Sequence, residues 1–522
     1  MSASRDSGRA ENPWLITLAV MAGTFMVVLD TTVVNVALPH IAGSLSATID
    51  EATWALTSYL AANAIVLPIT GWLANFFGRR RLMLVAITTF TAASVLCGLA
   101  PTLPILIFFR VVQGATGGVM QPLSQAIMLE AFPPHERGQA MAVWGMGIVA
   151  APIFGPVLGG WLTDTYSWRW IFYINLPVGV LSVMAIRAFI HDPSYIKRSS
   201  AKIDTWGIGL LAVGIGALQI ALDKGQEEDW FSSRLITTLL VVAAVGLAAF
   251  LMRELVIRDP VVDLRVFRLR TYSAGVVLIA LMGLVMYGAL VMGPVLFQTL
   301  LGYSPLQAGL VMSPRGIGTV LVMPVVGLLI ARTDPRGLLA AGLLIAAGSL
   351  FWFGHLNLDV GFANIVGMQL LQGIGFGLLF VPLTTVTMDP IPKERMGNAT
   401  SLFNLVRNIG GSCGIATVET MLTRFQQAQT NILGAHVDAY SMPSRTLMHG
   451  LASRMAAGGA DASSAAGQAL RAMFAVVERQ AAMLSFVNTY RILGIVFLAI
   501  IPLVLLMRRP APGPRSGAAV SE

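Results

Sequence analysis

Charge is scarce in this chain. Only 11% of its 522 residues are Asp, Glu, Lys or Arg, against 56% hydrophobic, a balance that no water-soluble globular protein tolerates. Lysine is the rarest charge: Lys197, Lys202, Lys224 and Lys393 are the full set, and none follows a glycine. A phosphate loop of the form GxxxxGK[ST] is therefore absent, and work driven by the chain's own ATP hydrolysis is excluded. There is no HExxH and no clustered His/Cys set, so neither a metal nor a cofactor is implied and an enzyme is not expected. Cysteine is limited to Cys97 and Cys413, both inside apolar runs, where they read as small packing residues. The first apolar run is too long for a signal peptide and lacks a small-residue cleavage site, so it is expected to remain as a helix.

What the chain has instead is apolar runs long enough to cross a bilayer. Fourteen are legible, at roughly 14–37, 52–76, 82–99, 104–128, 138–162, 170–190, 205–222, 235–256, 272–298, 306–331, 337–356, 361–387, 399–422 and 486–507. An even number puts both termini on one side. The connections after the even-numbered runs carry Arg79, Arg80, Arg81, Arg137, Lys197, Arg198, Arg265, Arg268, Arg270, Arg332, Arg336, Lys393 and Arg395; the opposite short connections carry little beyond Arg169, Lys224 and Arg234. By the positive-inside rule both termini are cytoplasmic. The same placement explains the formal net charge of +8 without nucleic acid, for which a basic helix or aromatic-interleaved patch is missing.

The chain also repeats itself. Val112-Gln113-Gly114 resembles Leu371-Gln372-Gly373, and Pro68-Ile69-Thr70-Gly71 resembles Pro324-Val325-Val326-Gly327, at offsets of 259 and 256 residues. Runs one to six thus match runs nine to fourteen, with runs seven and eight inserted between. Two six-helix halves around a midplane cavity is a common secondary-transporter plan. The expected organisation is an all-α membrane protein with residues 1–190 as the first half, 191–270 as two inserted spans and a linker, 271–507 as the second half, and 508–522 as a tail. One long connection, 423–485, is polar and rich in Ala and Gly. Its Leu470, Phe474, Val477 and Leu484 fall near helical spacing, so part of it is expected to be an amphipathic helix.

The stretch Leu29-Asp30-Thr31-Thr32-Val33-Val34-Asn35-Val36-Ala37-Leu38-Pro39 closes the first run, and Asp30 is its only acid. A carboxylate in a spanning helix has to be protonated, paired or turned to a wet cavity. It is therefore either a structural acid against a neighbouring helix or a site that takes up and releases a proton. Arg110 lies about 6 residues, roughly 10 Å, from the outer end of the fourth run, at a depth matched to Asp30, so the two charges can meet. Arg315, Arg407 and Glu419 are further charges inside apolar runs that need partners; Met282, Met286, Tyr287, Met292 and Phe297 make either a packing stripe or an adaptable apolar wall.

These residues resemble the fourteen-helix drug:proton antiporters of the major facilitator superfamily, most closely the EmrB/QacA-type permeases, from Trp14 to about Arg508. The LDTTVVNVALP stretch is similar to that branch's first-helix motif. Gly71-Trp72-Leu73-Ala74-Asn75-Phe76-Phe77-Gly78-Arg79-Arg80-Arg81 resembles the loop motif GxLADRxGRR, with Asn75 in place of the Asp and Phe76 in place of the Arg. That leaves Asn75 as a candidate helix cap. Arg110-Val111-Val112-Gln113-Gly114 resembles the fourth-helix motif, whose arginine is implicated in proton coupling. Ala151-Pro152-Ile153-Phe154-Gly155-Pro156-Val157-Leu158-Gly159-Gly160 resembles the antiporter motif GxxxGPxxGG, in which small residues permit close packing and Pro156 bends the helix.

The resemblance implies a proton-coupled exporter of hydrophobic drugs in a bacterial inner membrane, with a periplasmic adaptor and a TolC-type outer-membrane channel as partners. Asp30 and Arg110 would carry proton coupling. Asn35, Gln113, Tyr287, Arg315 and Arg407 would line the substrate cavity, and Gly71, Asn75, Gly78, Arg79, Gly155, Pro156, Gly159 and Gly160 would serve the conformational change. The alternatives are an exporter of one metabolite or organic acid by the same mechanism, and a non-transporting membrane sensor.

Overall fold

A computed structural model describes residues 12–133, 135–192, 204–257, 260–330, 332–437, 441–458 and 461–507, apart from the side chains of residues 49, 153, 156, 305, 462 and 463. Lys197, Arg198, Lys202 and the 508–522 tail lie outside the described residues. The helices are α1 (Pro13–Ser44), α2 (Ile49–Val66), α3 (Thr70–Phe77), α4 (Arg79–Leu99), α5 (Leu103–Ala131), α6 (Arg137–Thr165), α7 (Trp170–Tyr173), α8 (Asn175–Phe189), α9 (Thr205–Lys224), α10 (Arg234–Val256), α11 (Arg270–Pro294), α12 (Pro305–Leu329), α13 (Pro335–Phe353), α14 (Phe362–Met388), α15 (Met396–Ala435), α16 (Met442–Ala457) and α17 (Ala462–Val504).

Local chemistry sets several of these boundaries. Thr48 with Glu51 and Ser304 with Gln307 form capping boxes at the starts of α2 and α12, each satisfying two otherwise orphaned backbone donors. Pro68 lacks an N–H, and the second run tightens there into a 3-10 turn at Leu67–Ile69 before continuing as α3. Gly78, between α3 and α4, has φ +85°, a conformation in which a side chain is strained. Its position is also hemmed in by the Asp192 carboxylate.

Among the described residues, twelve spans are long and apolar enough to cross a membrane. A thirteenth is α6, whose parts Arg137–Pro152 and Val157–Thr165 meet at 40°. Prolines at 152 and 156 bracket that break, as a helix losing backbone donors requires. The remaining one of the fourteen expected runs, thirteenth in chain order, is α15. It is less apolar than the rest because Asn398, Asn404, Arg407, Asn408 and Glu419 fall within it; it packs against both halves, and Asn398 and Asn404 make hydrogen bonds there.

In the first half α1 runs along α5, α6 and α8, while α2 and α4 pack on α5. The second half repeats this with α11 on α15, α12 and α13 on α14, and α17 on α13 and α15. The two halves meet towards the face that carries the arginine-rich loops. There Trp144 stacks on Phe380 at 6.2 Å, Asn404 Nδ2 donates to Gln125 Oε1 at 2.6 Å, and Thr400 Oγ1 donates to the Pro122 carbonyl at 3.1 Å. Gly138 packs against Gly327 and Ile330 in the same layer.

The inserted helices close the side of the molecule between α2 and α15. Near its end, α9 accepts a hydrogen bond from Thr57 of α2 through Asp223, and Lys224 Nζ donates to Thr53 Oγ1 at 2.6 Å. From the same helix Gln219 Nε2 donates to Ser412 Oγ of α15 at 2.9 Å, and Trp230 Nε1 beyond it donates to Thr420 Oγ1 at 2.9 Å.

The long 423–485 connection is helical over most of its described length, more than the apolar spacing suggested. α15 carries on to Ala435, α16 follows, and α17 is continuous from Ala462 into the last span. Between Gln468 and Leu493 the sequence has neither proline nor glycine, so nothing interrupts the helix. Leu470 and Phe474 remain more than half exposed; among the described side chains of 464–480 the buried ones are Ala465 and Ala469.

Candidate functional site

Asp30 sits mid-way along α1 and is 1% exposed. Its Oδ2 accepts from Arg110 Nη1 at 2.5 Å, and its Oδ1 accepts from Gln113 Nε2 and Asn175 Nδ2, both at 2.9 Å. Arg110 is fully buried. It donates through Nε to the Ala55 carbonyl at 3.0 Å and through Nη1 to Gln113 Oε1 at 2.8 Å, and its guanidinium lies over the Tyr59 ring at 4.2 Å. Asn175 also donates to Ser94 Oγ at 2.9 Å, whose hydroxyl passes on to the Phe172 carbonyl at 2.9 Å. A buried ion pair persists when its remaining hydrogen-bonding capacity is used. Arg110 Nη2, the Tyr59 hydroxyl and Asn175 Oδ1 are left without partners.

This cluster joins α1, α2, α4, α5 and α8, so a change at one carboxylate is felt by most of the half. A proton arriving at Asp30 Oδ2 has to displace Arg110, whose other contacts are to the α2 backbone and to Gln113. Asp30 is thus coupled to helix packing by direct hydrogen bonds.

The small-residue stretch of α6 lies beside the same acid. Gly155 packs on the Thr32 hydroxyl of α1, and a Cβ on Gly159 would stand 3.1 Å from Val33 Cγ1. Gly160 has open space around it, and the Pro156 side chain lies outside the described residues. Close helix approach therefore occurs one turn or less beyond Asp30.

On the arginine-rich face Gly71 abuts the start of α15, where Asn398 Oδ1 also accepts from Asp263 N at 3.0 Å. Arg79 pairs with Glu130 of α5, both nearly buried. Arg80 N donates to Asp192 Oδ1 at 2.9 Å. Asn75 does not cap the neighbouring helices α4 or α15, both of which begin without a side-chain cap.

Among the residues expected in a substrate cavity, Gln113 is instead fully buried inside the Asp30 cluster. Asn35 is exposed, Tyr287 and Arg315 are half-buried, and Arg407 is 5% exposed. Met282, Met292 and Phe297 are core residues, so the methionine stripe is mostly packing. Tyr59, Ser94, Asn175 and Glu130 escaped the sequence reading. Asn175 had a signal, as the one amide within the sixth apolar run.

A family model described as Major Facilitator Superfamily matches residues 20–415. The chain is 42% identical over 436 residues to the multidrug export protein EmrB of Haemophilus influenzae, covering 83% of this chain and 85% of that protein. It is 36% identical over 499 residues to the fatty acid resistance protein FarB of Neisseria gonorrhoeae, covering 95% and 96%. The fold matches the proton:xylose symporter XylE with a TM-score of 0.57 at 15% identity, covering 94% of each chain. The chain belongs to the major facilitator superfamily, and within it to the EmrB-type multidrug efflux permeases.

Proposed function

We propose that this efflux permease is a proton antiporter of the bacterial inner membrane, with its arginine-rich face and both termini in the cytoplasm. Residues 1–190 and 271–507 are the two moving units, with the spans of 191–270 as a flank between them. Hydrophobic, structurally varied compounds enter from the cytoplasm or inner leaflet and leave outwards as Asp30 is reprotonated from outside.

The observation that carries this reading is the Asp30–Arg110 pair at 2.5 Å, buried in a helix with no other acid. Contact between the halves on the arginine-rich face leaves the opposite side as the route of release, with the acid clasped by Arg110. Protonation frees Arg110 and loosens α1 from α5, which lets the halves rock. The name of the gonococcal relative favours a second, narrower reading: a carrier of one organic acid using the same proton exchange.

The helices projecting from α15 to α17 are the natural dock for a periplasmic adaptor leading to a TolC-type channel. Uphill export of several dyes into everted vesicles under an imposed pH gradient tests the core of the reading. Asp30→Asn is expected to abolish that export while leaving dye binding intact; wild-type gradient-driven export by the variant overturns it.

A further inference from the structure

The second half repeats the geometry around Asp30 but not its charge. Gly114 of α5 presses on the backbone of Tyr59, and Gly373 of α14 presses on the backbone of Arg315 in the same way. One turn further along, Gly118 meets Asn63 and Gly377 meets Thr319. The repeat thus sets Arg315 in the second half where Tyr59 stands in the first. By the same offset Gln369 takes the place of Arg110, and Gln372 that of Gln113. Helices α11, α12, α13 and α14 contain no Asp or Glu at all.

Among the described residues Arg315 is therefore a mid-helix guanidinium without an acid partner. Among the described residues, the ionisable group that acts on it electrostatically is Tyr490 of α17. Tyr490 is itself buried and stacked on Phe353 at 4.8 Å. Gln369 and Gln372 are 3% and 2% exposed, and Gln369 Oε1 and Gln372 Nε2 have no hydrogen-bond partner. Arg407 of α15 adds a second positive charge to this half, with its Nε unpartnered. A half-buried cation without an acid, on a helix packed against the one that carries these unsatisfied amides, is a costly arrangement, and an anion relieves it at a single stroke. Guanidinium and amide N–H groups together suit a planar carboxylate.

We infer that Arg315, with Gln372 and Gln369 beside it, forms an anion site that receives the carboxylate end of an amphipathic substrate. The apolar tail lies along the hydrophobic wall of the second half. Arg315 supplies the charge-assisted hydrogen bonds, Gln372 Nε2 donates a neutral one, and Gln369 Oε1 accepts from a ligand hydroxyl or a bound water. This rests on the transport reading above and assigns its substrate end, with the proton carried by one half and the anion by the other. The same donors would also suit an inorganic anion from solution; the apolar surroundings favour a carboxylate attached to a tail.

The test uses the full chain in zwitterionic nanodiscs in chloride-free buffer. Binding of laurate is compared with binding of dodecyltrimethylammonium, a cation of the same chain length. Arg315→Gln is expected to weaken laurate at least tenfold and to change dodecyltrimethylammonium less than twofold. Gln372→Glu, which offers the guanidinium an internal carboxylate, should do the same and decides the matter if Arg315→Gln fails to fold. Chloride at 100 mM should weaken laurate less than twofold. Unchanged laurate affinity in a folded variant, equal losses for both amphiphiles, or displacement of laurate by chloride overturns the site. Binding needs no gradient, so a failure of proton-driven export leaves this result standing, and a failure here leaves the antiport reading intact.

Discussion

The backbone nitrogen of Asn398 lies 2.6 Å from where a Cβ on Gly71 would be. The α3 end of one half and the start of α15 in the other thus touch through backbone, with no side chain between them. Asn398 in turn holds the linker, accepting from Asp263 N at 3.0 Å and donating to the Asp263 carbonyl at 2.8 Å.

Gly71→Val is expected to prevent closure of the arginine-rich face, because backbone atoms cannot yield as a flexible side chain does. Spin labels across that face should show a longer distance than in the wild type, with export reduced at least tenfold. A wild-type distance distribution in the variant would show that the contact does not hold the face shut.

Arg110 and Asp30 should behave as one unit. Removing either partner of a buried ion pair costs about 3–5 kcal/mol, since a charge is left uncompensated. Arg110→Gln alone is expected to lower the melting temperature of the detergent-solubilised protein sharply. Combining it with Asp30→Asn should recover much of the loss, with a coupling of about 1–3 kcal/mol. Additive losses would mean that the two residues stabilise the half independently.

The pair was legible in the sequence because a charge in an apolar run is conspicuous, and Asp30 and Arg110 stand alone in theirs. Asn175, Ser94 and Tyr59 were not, because neutral polar residues are tolerated in spanning helices, and their roles depend on contacts made 145, 81 and 51 residues away in sequence. Glu130 was overlooked for another reason: it closes the fourth run, where a charge reads as an ordinary helix end. Most of the fourteen expected spans follow from hydropathy, twelve among the described residues and a thirteenth with the bent α6, whereas α15 is too polar to pass on that ground and the breaks at Pro68 and within α6 depend on local backbone chemistry. The 423–485 segment was read too cautiously, since polar residues with Ala concealed a helix that needs no apolar stripe.

Asp204 anchors the inserted pair on the arginine-rich side. It caps α9 by accepting from Gly207 N at 3.0 Å and receives Arg253 Nη2 at 2.7 Å. The hydrogen bonds from Arg253 hold its carboxyl below the usual range. A lowered folded-state pKa gives stability that is complete above the unfolded value of about 3.9 and lost as pH falls through the folded one. Asp204→Asn keeps a cap but loses the charge, for a loss of about 1 kcal/mol after allowing for the exposure of Arg253. Asp204→Ala loses both, for about 2 kcal/mol. Melting curves should find these differences constant from pH 7 to 5 and shrinking below pH 4. A difference that instead grows on acidification would exclude the ion pair as its source.

The projecting part of α17 carries the last prediction. From Ala462 to Ser485 it is a continuous helix, about 36 Å long at 1.5 Å per residue. It packs against α16, with Ala465 and Ala469 buried, and is held by Arg479 Nη2, which donates to the Leu300 carbonyl at 3.1 Å. Leu470, Phe474 and Val476 stand exposed on it at 55%, 54% and 48%. Alternating access does not need this extension, whereas a partner outside the membrane has few other surfaces to hold. Replacing residues 430–475 with a short Gly/Ser linker keeps the Arg479 brace and removes the exposed Leu470 and Phe474. That variant is expected to export dyes into everted vesicles at close to the wild-type rate. Cells that depend on an adaptor and outer channel should nevertheless lose resistance, and copurification of the adaptor should fall at least tenfold. Adaptor recovered at wild-type levels with the shortened protein would rule out docking through these helices, and loss of vesicle export would assign them to the transport cycle itself.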